Sequence, residues 1–291
     1  MRKRNCGFYI IMVLLAIFSL SGCDKSKEDI DFGNEVINDK VEIPNWNSLT
    51  DIFACYDADG KNVYSLGTVH GTHLNPSFGY SLQDIQSVIE HVKPDYVFIE
   101  SREEIFEKYG AIDGPIEFQF IYSYCKEQNI PVEFIDYWSD TYDDLLENSN
   151  TTSDKRDNQI FYNIYDKMKQ VKKGETVLIC YGTGHFFYQQ PRMERAGWKE
   201  IAIENEEEYF SHINEIFFEY PEGMSELIQN TINFYEKDFI EHVKECGTNP
   251  DIIPQIQERF QSGAESYKLI KELIDNNQLY FSEELINKDA E

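Results

Sequence analysis

Apolar residues in this chain repeat with a strand-like period in some stretches and a helix-like period in others. The switches between the two outline its elements. β-prone runs occur at Asp51–Tyr56, Val63–Leu66, Tyr96–Ile99, Pro131–Ile135, Thr176–Tyr181 and Lys199–Ile203. The Asp57-Ala58-Asp59-Gly60 turn predicts a hairpin between the first two. Helical spacing follows Ser81, with Leu82, Ile85, Val88 and Ile89 on one face. Pro115 opens a second helix to about Gln128, with Phe118, Ile121, Tyr122 and Cys125 inward. A third spans Asp154–Val171, with Ile160, Ile164 and Met168 inward and Gly174 as its cap. A fourth runs on to about Arg195. Strand–helix–strand order favours parallel crossovers. The expectation is an α/β fold, a central mostly parallel sheet with flanking helices over residues 46–203. From Glu204 the alternation stops. Met224–Glu245 and Ile252–Ile274 read as amphipathic helices, so 204–291 is expected to be a helical C-terminal region.

The first 23 residues do not belong to that body. Arg2, Lys3 and Arg4 precede an apolar stretch, Phe8–Leu20, that is short for a membrane span, and Leu20-Ser21-Gly22-Cys23 ends it. This resembles a bacterial lipoprotein signal, which implies cleavage before Cys23 and lipidation of that cysteine. Residues 24–45 are polar and acidic and read as a flexible tether. The expected location is a lipid anchor on the cell membrane, with the body facing the periplasm or the extracellular space.

Composition narrows the partners. The 291 residues carry a net charge of −27 with 41% hydrophobic and 14% aromatic residues, so a sizeable core is expected. So acidic a chain is a poor nucleic-acid binder, because phosphate contacts need clustered Lys and Arg. Of six cysteines, Cys55, Cys125, Cys180 and Cys246 follow the leader at long spacings, which argues against a thiolate metal cluster. Cys180 reads as a small buried apolar residue.

The candidate chemistry lies at strand ends. The run Val63–Leu66 is read as stopping at Gly67, with His70 three residues on; Thr176–Tyr181 stops at Gly182, with His185 three residues on. With six histidines and sixteen glycines in the chain, roughly 0.3 such pairs are expected by chance. Open α/β sheets build sites at the carboxyl ends of strands. Glu100 ends a third, buried-looking strand, where a metal or nearby Arg102 would offset the cost of its charge. Two imidazoles and a carboxylate leave coordination positions open for water, which suits a hydrolytic metal centre. His73 is read as structural or supporting. His91, His212 and His242 are read as surface residues.

Four blocks in order carry a resemblance: Gly67-Thr68-Val69-His70, then Lys93–Glu100 with Arg102, then Arg156-Asp157, then Gly182-Thr183-Gly184-His185-Phe186. Together they resemble the TraB/GumN family, which includes the TIKI metalloproteases and is related to the erythromycin esterase and ChaN-like proteins. The resemblance covers about Ile52–Ile203. It implies a hydrolase acting on a peptide or ester bond, with His70, Glu100 and His185 holding a divalent metal such as Mn, Co or Zn. Arg102 and Arg156 would orient Glu100 or stabilise an oxyanion. The ChaN-like relatives imply the alternative, a lipoprotein that captures haem, a peptide or another small ligand without turnover.

Overall fold

The structure, a computed structural model, describes residues 44–137, 154–211 and 218–282. The leader with Cys23, the tether as far as residue 43, the polar stretch Glu147–Ser153 and His212 lie outside the described residues.

Six strands form one sheet: β1 (Phe53–Asp57), β2 (Asn62–Thr68), β3 (Tyr96–Ile99), β4 (Val132–Phe134), β5 (Thr176–Gly182) and β6 (Lys199–Ile201). Their order is β4-β3-β5-β2-β1-β6. β4, β3, β5 and β2 run parallel, while β1 is antiparallel to both β2 and β6. The predicted hairpin is present, with Asp59 and Gly60 at φ 56° and 82°. Two consecutive left-handed residues are what a type I′ turn requires. Central β5 is buried from Val177 to Gly182, as expected for a strand with neighbours on both sides and layers on both faces.

Helices α1 (Leu82–Val92), α2 (Glu103–Tyr109), α3 (Ile116–Glu127), α4 (Asp154–Lys167) and α5 (Thr183–Arg195) belong to the sheet's half of the chain. Helices α6 (Met224–Asn233), α7 (Phe239–Glu245) and α8 (Ile253–Asp275) follow, with a π turn at Phe234–Asp238 joining α6 to α7. The α/β expectation therefore holds, as does the helical character of the C-terminal region. Among the described residues no helix is long and apolar enough to cross a membrane. Cys55, Cys125 and Cys180 are buried free thiols.

Several boundaries differ from the expectation for local reasons. A short 3₁₀ turn, Leu49–Ile52, capped by Ser48 and Asp51, takes the start of the first predicted strand. Gly67 does not stop β2, which runs on through it to Thr68. Its lack of a side chain serves close packing instead: a Cβ there would lie 3.1–3.3 Å from Ile52, Phe186 and Thr183. Gly174 does not cap α4, which ends at Lys167; it sits at φ 85° in the turn that enters β5. β6 ends at Ile201 rather than Ile203. α2 has no counterpart in the predicted elements.

Candidate functional site

The sheet order places three strand ends side by side. β5 lies between β2 and β3, with Thr68 opposite Gly182 and Ile99 opposite Cys180. The residues that follow these ends are His70, Glu100 and His185. The meeting point is Gly182, the last residue of β5 and the one preceding α5. Its N–H donates to Glu100 Oε2 at 2.6 Å. A Cβ on it would overlap the His70 ring, so the imidazole lies directly on the glycine.

His70 leaves β2 through a tight turn in which Thr72 bonds back to Val69 and Gly71 takes φ 77°. Its Nδ1 is 2.6 Å from Glu117 Oε1 in the first turn of α3. Thr68 Oγ1 donates to the same oxygen at 3.0 Å. The His70 side chain is 42% exposed and Glu117 is fully buried, so the imidazole faces solvent from a fixed carboxylate. His73 is buried, with Nε2 3.8 Å from Glu117 Oε1 and its ring edge-on to Tyr80. Neither of its ring nitrogens has a hydrogen-bond partner.

The other half repeats this design. His185, on the first turn of α5, has Nδ1 2.7 Å from Asp157 Oδ1 on α4, and Gln189 donates to the same oxygen at 3.0 Å. His185 Nε2 lies 3.2 Å from Glu100 Oε1, outside hydrogen-bond geometry. Arg156 Nη2 donates to Glu100 Oε1 at 2.9 Å, and its Nε donates to Asp136 Oδ1 at 3.0 Å. Each imidazole is thus backed at Nδ1 by a buried carboxylate near the start of a helix.

The charges shift one another. Burial pushes the His185 imidazole down, but Glu100 and Asp157 outweigh it and raise its pKa to about 9. Burial would raise Glu100; the positive charges of His185 and Arg156 instead hold it well below the usual carboxylate range. For His70, burial lowers and Glu117 raises, with a net upward shift. His73 is lowered, chiefly by burial. Asp136 is raised by burial and by the charges of Glu100 and Asp113, despite Arg156.

Of the residues named from sequence, His70, Glu100, Arg156 and His185 come together here. Arg102 is placed on Asp113, with its N–H and Nε donating to the two carboxylate oxygens at 3.1 and 2.5 Å. Arg156 is seen bonding Glu100. His91 and His242 are half-buried rather than surface residues: one bonds Ser87 O, and the other packs on Tyr109 and Phe234. Glu117, Thr68, Asp136 and Gln189 were not singled out as site residues. Glu117 had a readable signal, a charge inside the apolar run Ile116–Ile121. Asp136 ended a predicted strand, as Glu100 did.

The donor chemistry fits a divalent ion. His185 Nε2 is buried with no hydrogen-bond partner, and both imidazoles carry the carboxylate support at Nδ1 that metal-ligating histidines usually have. Glu100 and His185 are the residues that would hold it, while His70, expected from sequence as a third ligand, has only its solvent-facing Nε2 uncommitted beside them. Among the described residues no group of three His, Cys, Asp or Glu side chains is already arranged to do so. No family model, curated protein or solved structure matches the chain.

Proposed function

We propose that this protein is a hydrolase of peptide or ester bonds, tethered by lipid at Cys23 outside the cytoplasmic membrane. The observation that carries the reading is His70, a solvent-facing imidazole fixed at Nδ1 by buried Glu117 and set beside Glu100 and His185 at three adjacent strand ends. A base needs this combination of access and orientation. His70 Nε2 takes a proton from the attacking water, and Glu117 stabilises the imidazolium that forms. The same nitrogen then returns the proton to the leaving group. Glu100, fixed by the Gly182 N–H and by Arg156, holds a negative charge beside His185. A divalent ion held by Glu100 and His185 would leave His70 Nε2 free as the base and would supply Lewis-acid polarisation of the scissile carbonyl. The ordered four-block resemblance to TraB/GumN proteins points to the same chemistry.

The test is a panel of peptide and ester substrates assayed with the lipid-free body, wild type and His70→Ala, alongside metal analysis of wild type and His185→Ala. Turnover by wild type that is lost in His70→Ala supports the reading, and stoichiometric metal lost with His185→Ala assigns the ion. Ligand binding without turnover across the panel would replace it with the capture reading.

A further inference from the structure

The loop between α2 and α3 presents backbone carbonyls that side chains from the C-terminal helices satisfy. Asn230 Nδ2 donates to Gly110 O at 3.1 Å and Thr231 Oγ1 to Ile112 O at 3.1 Å. Tyr235 OH donates to Asp113 O at 3.2 Å and Tyr267 OH to Gly114 O at 2.5 Å. Gln119 of α3 adds a bond to Ile112 O at 2.9 Å. Ala111 and Ile112 are fully buried, so these carbonyls need protein partners.

The loop reaches both halves of the site. Asp113 takes Arg102, the residue two after Glu100. Gly114 packs so closely that a Cβ there would lie 3.0 Å from Glu100 O and 2.7 Å from Phe118. Three residues on, Glu117 holds His70. Tyr235 itself lies within the π turn Phe234–Asp238, a rare geometry that is frequent at functional sites.

We infer that the C-terminal helices belong to the working site. Thr231, Tyr235 and Tyr267 are positioning residues: they fix the 110–114 loop and, through it, Glu117 and the His70 imidazole. This rests on His70 being the base of the proposed hydrolase. An appendage that only covered apolar surface would have no reason to aim three hydroxyls, from α6, the π turn and α8, at successive carbonyls of one loop. Misplacing a catalytic group by about 1 Å can cost about 10²-fold in rate, so a loop held this way bears directly on turnover.

The experiment compares the full chain as wild type, Tyr235→Phe/Tyr267→Phe and Tyr220→Phe. The last removes a C-terminal tyrosine hydroxyl that bonds Gln278 O, away from the loop. Two quantities are read: kcat and KM for the best substrate, and the downfield proton resonance of His70 Nδ1–H, assigned by its loss in His70→Ala. The expected result for the double variant is a tenfold or larger fall in kcat, KM within twofold of wild type, and a broadened or lost resonance. Tyr220→Phe should leave both unchanged. Wild-type kcat and an intact resonance in the double variant, even with a lower melting temperature, would overturn the inference. If the double variant does not fold, Thr231→Val is read by the same criteria. If wild type hydrolyses nothing, the resonance alone decides the clamp, and the hydrolase reading falls separately.

Discussion

His185 and His70 have the same kind of backing but opposite exposure, and this divides their behaviour. His185 is 2% exposed and its pKa is raised to about 9 from an ordinary 6.5. A raised folded-state value stabilises the protein when the group is protonated. In the metal-free protein that stabilisation is therefore complete below about pH 6.5 and lost as pH climbs towards about 9. Denaturant melts across this window should show the decline in wild type, and His185→Gln should flatten it; equal slopes would dismiss the charge assignment. Glu117→Gln keeps the shape beside His70 but removes its charge. We expect kcat to fall by about 10²-fold, the range of a general-base contribution, and a wild-type rate would remove Glu117 from the mechanism. The two histidines and Glu100 were legible because each follows an apolar run that stops abruptly. Their partners were not, because Glu117 and Asp136 lie far away in sequence and only the sheet order brings them near, while Gln189, one turn after His185 on α5, acts through Asp157. Arg102 shows the limit of adjacency: it is two residues from Glu100, yet it is bonded to Asp113.

Between strands and helices, glycine does more than turn the chain. Gly182 is small because the His70 ring rests on it. Gly182→Ala should therefore cost about 1–3 kcal/mol, typical of overpacking, and abolish activity by displacing the imidazole. In a His70→Ala background the stability cost should shrink, because the colliding ring is gone. A cost unchanged between the two backgrounds would show that the backbone, not His70, resists the methyl. Arg156 binds α4 to the ends of β3 and β4 through Glu100 and Asp136. Arg156→Met would remove the cation that Asp136 and Glu100 share and leave Glu100 with His185 alone, a loss of about 3–5 kcal/mol. Calorimetry should find it, and a change below 1 kcal/mol, within ordinary surface effects, would contradict the pairing. Sheet and helix periods made most elements readable from sequence. Two of the misplaced ends came from reading Gly67 and Gly174 as stops, when one answers to close packing and the other to a turn seven residues beyond the helix.

For the molecule as a whole, the net charge of −27 dominates. Self-repulsion opposes compactness, and salt shortens its reach from about 30 Å at 0.01 M to about 8 Å at 0.15 M. The melting temperature should rise across that range; a flat or falling response would mean that local ion pairs outweigh the global field. Four parallel strands, order β4-β3-β5-β2, also set a sequence of events. β5 is the last of the four to be synthesised, yet it fills the gap between β2 and β3. Until Thr176–Gly182 emerges, a nascent chain carries β2 and β3 with the edges that β5 will cover still open, and His70 has no glycine to rest on. A chain cut short before Thr176 therefore lacks Gly182 and His185 and exposes two apolar edges to aggregation or proteolysis. Only a chain completed past His185 can bring the two halves of its site into register.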